Sequence, residues 1–218
     1  MPWAPAAPVR RSTLGVLDPV ERRRLAAYRW PADRDAFGTG AGLLRTAVAA
    51  YLGLPAAAAA VDRGCPRCGE PHGKPRLGGA AAGLEVSVTH SGRRVGLAVA
   101  TAGAVGLDVE QVESPQAFPY DAALTPAELT GLRAVPPGER DRAFITAWAR
   151  KEAVLKAAGI GLRLDPRRFA VAPAGRPAWL LDWPADAPPL RPGARLYDAT
   201  RAPGTPPRWP CSPPRRSG

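Results

Sequence analysis

Lysine is nearly missing from this chain. Only three of its 30 basic side chains are lysine, namely Lys74, Lys151 and Lys156, and all the others are arginine. Heavy use of Ala, Gly, Pro and Arg matches a GC-rich coding sequence, in which neutral lysines drift to arginine. The lysines that remain then mark places where a compact ammonium cannot be exchanged for a planar guanidinium. Cysteine is also scarce. Cys65, Cys68 and Cys211 cannot build a disulfide framework. No run of about 18 uncharged apolar residues occurs, so no membrane span is expected. The opening "MPWAPAAPVRRSTLG" lacks the apolar core and cleavage site of an export signal. These absences lead to the expectation of a cytoplasmic protein. Only four Tyr and four Phe are present, and they are scattered. A nucleic-acid module that interleaves basic and aromatic residues therefore ranks low.

With 218 residues, 45% of them hydrophobic, the chain is long enough for one large domain or two small ones. Its formal net charge of +11 favours polyanionic partners, such as phosphorylated small molecules or an acidic protein. The plainer alternative is a solvated arginine-rich surface.

The Asp18-Pro19 pair predicts a helix start in "DPVERRRLAAY". Leu43, Leu44, Ala47, Val48 and Tyr51 recur at helical spacing within a second helix over Asp33–Leu52. A loop follows with Cys65, Cys68 and a Gly73-Lys74-Pro75 turn. "LEVSVTHS" and "VGLAVA" read as a hairpin, and "AVGLDVEQV" reads as a further strand. Thr125 and Pro126 open a helix, and "RDRAFITAWARKEAVLKAAG" is the longest one, stopped by Gly159 and Gly161. "FAVAPAGRPAWLLDW" suggests two short strands. Twelve of the 27 prolines lie between Pro173 and Pro214, so the end of the chain is expected to be unstructured. The order of elements suggests two halves of similar α+β build.

In a strand, Asp108 and Glu110 at i and i+2 share a face. Paired carboxylates suit a hard divalent cation such as Mg²⁺. Glu152 and Lys156 are neighbours at i,i+4 on the long helix. Such a pair is usually an ordinary surface contact. Here Ala149, Ala153, Val154, Leu155 and Ala157 surround it with apolar residues. His90 falls at a strand end, where side chains can meet a ligand. Lys74 sits in a rigid turn that can present its ammonium to a phosphate.

In this order, "GKP", "SVTHS", "GLDVE" and "WARKEAVLKAAGIGL" resemble the 4′-phosphopantetheinyl transferases, specifically the longer single-chain Sfp type, over roughly residues 17–169. The resemblance implies an α+β fold that is a pseudo-dimer of two similar α+β halves with the active site in the cleft between them. Residues 1–103 would be the coenzyme A-binding half, 104–198 the metal-binding and catalytic half, and 199–218 an unstructured proline-rich tail. It implies transfer of 4′-phosphopantetheine from coenzyme A to a serine of an acyl or peptidyl carrier protein, with Mg²⁺, by a monomer. Asp108, Glu110 and Glu152 match the acidic triad at the metal, and Lys156 matches the lysine one turn after the glutamate. Thr89 and His90 match the strand-end pair at the nucleotide phosphates, and Lys74 the turn lysine on coenzyme A phosphate. Arg22, Arg24 and Arg45 fall where the family gathers contacts to the 3′-phosphate. The segment Val112–Leu132, with Phe118 and Tyr120, falls where the family meets its carrier.

Three features depart from that pattern. Ala36 and Gly38 stand where longer or more helix-friendly residues are common. Gly38, Gly40 and Gly42 are expected to weaken their helix by about 1 kcal/mol each relative to alanine. The chain after Leu196 lacks the alternating apolar strand that usually completes the second half. "CPRCGEPHGKP" gathers Cys65, Cys68 and His72, which could bind zinc but have no second CxxC; otherwise they are reduced loop cysteines. A magnesium-dependent phosphohydrolase that uses the same carboxylates on water is the competing enzyme reading.

Overall fold

The computed structural model describes residues 3–112 and 119–199; Phe118, Cys211 and the rest of the tail from 200 onward lie outside them. The chain divides into two compact units, the first running to Gly103 and the second beginning at Ala104. Both combine helices with antiparallel sheet, so the fold is mixed α+β.

In the first unit β1 (Trp3–Pro5), β5 (Arg94–Ala100) and β4 (Glu85–Ser91) form an antiparallel sheet in the order β1-β5-β4. Gly92 takes φ +52° in the β4–β5 turn, a left-handed backbone that glycine adopts without a Cβ clash. Helix α1 (Arg11–Val16) precedes α2 (Pro19–Ala27). Asp18 caps α2 by accepting from the Glu21 amide at 2.8 Å, while Glu21 reaches back to the Asp18 amide at 3.3 Å. Helix α3 (Pro31–Leu52) lies on the sheet, with Leu44, Val48, Val86 and Leu97 in one buried cluster.

The three glycines of α3 have a packing role that the propensity argument did not contain. A Cβ on Gly38 would sit 2.6 Å from Val9 Cγ2 and 3.1 Å from Leu25 Cδ1. On Gly40 it would sit 3.0 Å from Val88 Cγ1. Tertiary burial outweighs the propensity cost, because missing side chains let α3 approach its neighbours closely. A short antiparallel pair, β2 (Ala60–Asp62) and β3 (Arg76–Gly78), carries the cysteine loop at its end.

The second unit is built on α4 (Pro126–Arg133), α5 (Arg140–Ala158) and the ribbon β6 (Ala170–Val171) with β7 (Leu180–Asp182). Thr125 and Glu128 form a reciprocal cap on α4. Phe144, Leu155, Phe169 and Val171 centre its core. The strand expected over 104–112 carries no strand assignment among the described residues. A Cβ on Gly106 would lie 1.8 Å from the Ala153 carbonyl oxygen and 2.5 Å from the Ala157 amide nitrogen. The segment is laid directly on the backbone of α5.

Asp198 is tied to the unit by a side chain. Arg150, 3% exposed, donates from Nε to Asp198 at 2.9 Å. Its other donors reach the carbonyls of Ala172, Pro173 and Arg176.

Candidate active site

Trp148, Glu152 and Lys156 follow one another at i, i+4 and i+8 on α5, which aligns them along one face. Gly106 brings the 104–112 segment against the helix at Ala153 and Ala157, and this seats Asp108 and Glu110 beside that face. Lys156 Nζ forms an ion pair with Asp108 Oδ1, and the Asp108 side chain is only 3% exposed. The Trp148 indole donates to Glu110 Oε1 at 3.2 Å. Burial raises the half-buried Glu152 carboxyl above the ordinary glutamate range; Lys156 opposes this, while the charges of Asp108 and Glu110 raise it further. The structure therefore brings Asp108, Glu110, Glu152 and Lys156 into one electrostatic neighbourhood.

By donor chemistry, three carboxylates supply the oxygen ligands that a hard divalent cation takes.

Lys151, the other lysine of α5, belongs to a different place. It is fully buried and donates to the carbonyls of Pro166 and Phe169, both at 2.7 Å. Its third contact is an ion pair with Glu128 at 2.7 Å. Glu128 also caps α4 and accepts from the Val171 amide at 3.0 Å. Three tetrahedral donors fill three directions, a role a planar guanidinium could not copy.

Residues expected on coenzyme A divide by environment in the first unit. Lys74 is half-buried and pairs with Glu85 at 3.1 Å. Thr89 is 3% exposed while His90 is exposed, as strand alternation sends neighbours to opposite faces. Arg22 is exposed, with Nε on the Leu14 carbonyl at 3.1 Å. Arg24 lies over the Phe37 ring at 4.7 Å and donates to the Pro71 carbonyl at 2.5 Å. Arg45 is a correction. It is 1% exposed, and its three nitrogens go to Glu21 at 2.6 Å, the Ala59 carbonyl at 2.7 Å, and Asp18. Those contacts and the burial hold the guanidinium inside the fold, away from a 3′-phosphate at the surface. Tyr120 is also used internally: its ring packs at a tilt on Phe144, with centroids 4.8 Å apart, and its hydroxyl bonds to Asp141.

Residues 104–192 match the family model described as the 4′-phosphopantetheinyl transferase superfamily, and this stretch carries the whole acidic cluster. The chain is similar to the 4′-phosphopantetheinyl transferase HetI of Nostoc, 31% identical over 170 residues, covering 76% of this chain and 69% of the relative. The chain belongs to the 4′-phosphopantetheinyl transferase superfamily. A 4′-phosphopantetheinyl transferase of Bacillus subtilis is 30% identical over 129 residues, covering 59% of this chain and 54% of that protein. A phosphopantetheinyl transferase of Thraustochytrium is 29% identical over 180 residues, covering 76% and 60%. As a member of this superfamily the chain is a transferase enzyme. No helix among the described residues is long and apolar enough to cross a membrane.

For this transferase, sequence reasoning passed over Trp148 as a site residue. The signal was available, because Trp148 precedes Glu152 by one helical turn in a chain with only six tryptophans.

Proposed function

We propose that this protein transfers 4′-phosphopantetheine from coenzyme A to a serine hydroxyl of an acyl or peptidyl carrier protein, as an Sfp-type enzyme dependent on Mg²⁺. The observation that carries this reading is the meeting of Asp108, Glu110, Glu152 and Lys156 within the segment that matches the family. The serine oxygen forms a bond to the β-phosphorus of coenzyme A. The bond from that phosphorus to the bridging oxygen breaks, and adenosine 3′,5′-bisphosphate leaves. The serine proton goes to Glu152, directly or through water.

Asp108, Glu110 and Glu152 would hold the ion, whose chemistry when bound is to neutralise the pyrophosphate and the charge growing on the leaving oxygen. Lys156, a compact charge one turn from Glu152, supports the same oxygen. Trp148 holds Glu110 by its indole hydrogen bond and so acts as a positioning residue. Lys74, Thr89 and His90, with Arg22 and Arg24, are assigned to the phosphates of coenzyme A. The net charge of +11 steers the enzyme towards an acidic carrier, so added salt lowers its association rate.

The test is incubation of the full chain with coenzyme A, Mg²⁺ and an apo-carrier, read by mass spectrometry. A gain of one phosphopantetheine on the carrier supports transfer. Metal-dependent release of phosphate without that gain supports the phosphohydrolase reading instead.

A further inference from the structure

The chain contains three cysteines and two histidines, and three of these five residues fall between positions 65 and 72. The potential ligand atoms of Cys65, Cys68 and His72 all lie within 4.8 Å of one another. Cys68 Sγ and His72 Nε2 are 3.1 Å apart. Ligand bonds of about 2.3 Å for sulfur and 2.0–2.1 Å for nitrogen put tetrahedral neighbours about 3.5–3.8 Å apart. The three atoms therefore need only small adjustments to surround one ion.

The backbone is folded for this. The Gly69 amide donates to the Cys65 carbonyl at 2.8 Å, and Gly69 takes φ +75°, which turns the chain back just after Cys68. The Cys65 and His72 amides both donate to the Glu70 carbonyl, each at 2.8 Å. The Gly73 amide closes the neck of the loop on the Arg63 carbonyl at 2.7 Å. A Cβ on Gly73 would lie 2.7 Å from the Gly64 carbonyl oxygen, so the two sides of the neck touch backbone to backbone. Arg24 pins the outside of the loop through the Pro71 carbonyl.

We propose that Cys65, Cys68 and His72 form a second metal site, separate in chemistry from the acidic cluster, which takes one zinc-type divalent ion. Two sulfurs and an imidazole nitrogen select a borderline-soft ion and reject Mg²⁺, which requires oxygen. On binding, each thiol releases its proton to solvent, and both sulfurs coordinate as thiolates. Three protein donors leave one tetrahedral position for water or for a ligand outside the described residues. The ion ties Cys65 to His72 across the loop and fixes the segment that leads into Lys74.

The test uses the full chain, purified reduced and stripped of metal, and titrated with Co²⁺. A thiolate-to-cobalt absorption band that saturates at one Co²⁺ per chain and is displaced by Zn²⁺ is expected. Cys65→Ser, Cys68→Ser and His72→Ala should each lose the saturable binding, whereas Glu152→Gln should keep it. Trypsin provides a readout on the unaltered protein, because Arg67 lies exposed between the two cysteines; Zn²⁺ should slow cleavage there. A reduced wild-type chain that shows no thiolate band overturns the proposal. So does a band that survives in Cys68→Ser, or Arg67 cleavage that Zn²⁺ leaves unchanged.

Discussion

Two charged clusters, one in each unit, look alike in composition and differ in balance. In the first unit Asp18 and Glu21 meet Arg45 and Arg63: Glu21 is 1% exposed, with Arg45 at 2.6 Å and Arg63 at 3.2 Å. Two acids face two bases, and the donors and acceptors point at one another. In the second unit Lys156 pairs with Asp108, and the charges of Lys156, Asp108 and Glu110 act on Glu152. A balanced buried cluster is complete as built, and any ligand would have to displace a partner. An acid-rich one gains from a cation and holds a carboxyl ready to take a proton. Charge balance, more than burial, separates scaffold from site here.

The largest expected effect that sharpens this contrast is on the rate. Glu152→Gln is expected to lower phosphopantetheine transfer by about 10²–10⁴-fold, measured as turnover on an apo-carrier. Glu21→Ala acts on the other cluster and in the other currency of stability. It leaves Arg45 and Arg63 buried without their shared carboxylate, at a cost of about 3–5 kcal/mol in denaturant unfolding. A stable Glu21→Ala protein would break the claim that this cluster is structural. Gly106→Ala forces a methyl onto the Ala153 carbonyl. A loss of about 1–3 kcal/mol is expected, together with a changed Trp148 fluorescence as Glu110 moves away from the indole.

Lys156→Arg keeps the charge and shifts it. Transfer is expected to fall by less than in Glu152→Gln, and unchanged turnover would count against a point-charge role for Lys156. The smallest effect concerns pH. Burial, opposed by Lys156 and reinforced by Asp108 and Glu110, raises the folded Glu152 carboxyl above its ordinary 4.5. A raised acid holds its proton more tightly when folded. Its stabilising contribution is therefore present below the unfolded value and is lost as pH rises through the folded one. In metal-free buffer, Glu152→Gln is then expected to gain stability relative to wild type between mildly acidic and neutral pH. Added Mg²⁺ is expected to raise the melting temperature of wild type more than that of the variant.

Much of the scaffold was legible in local patterns. Asp18-Pro19, Thr125-Pro126 and the glycine stop at Gly159 mark helix ends where the structure has them. The alternation in "SVTHS" and "VGLAVA" matches β4 and β5. For residues 104–112 the alternation shows an extended segment and not what that segment lies against; the approach of Gly106 to Ala153 and Ala157 is a tertiary fact. Arg45 was misread because its type suggested a phosphate, whereas its place beside Leu44 and Val48 on α3 pointed inward. Asp108, Glu110, Glu152 and Lys156 were picked out by residue type and order, and their meeting was not visible in spacing across more than 40 positions.

By itself the sequence determined which short runs are helix or hairpin, since capping, periodicity and turn chemistry act over a few residues, and it nominated the side chains proposed to carry chemistry. Tertiary structure alone decided which charges are spent on one another. It set Lys151 among the Glu128 carboxylate and two carbonyls, and it set Lys156, five residues later, against Asp108. Coulombic and desolvation energies depend on distance and burial in space, and neither quantity is written along a chain.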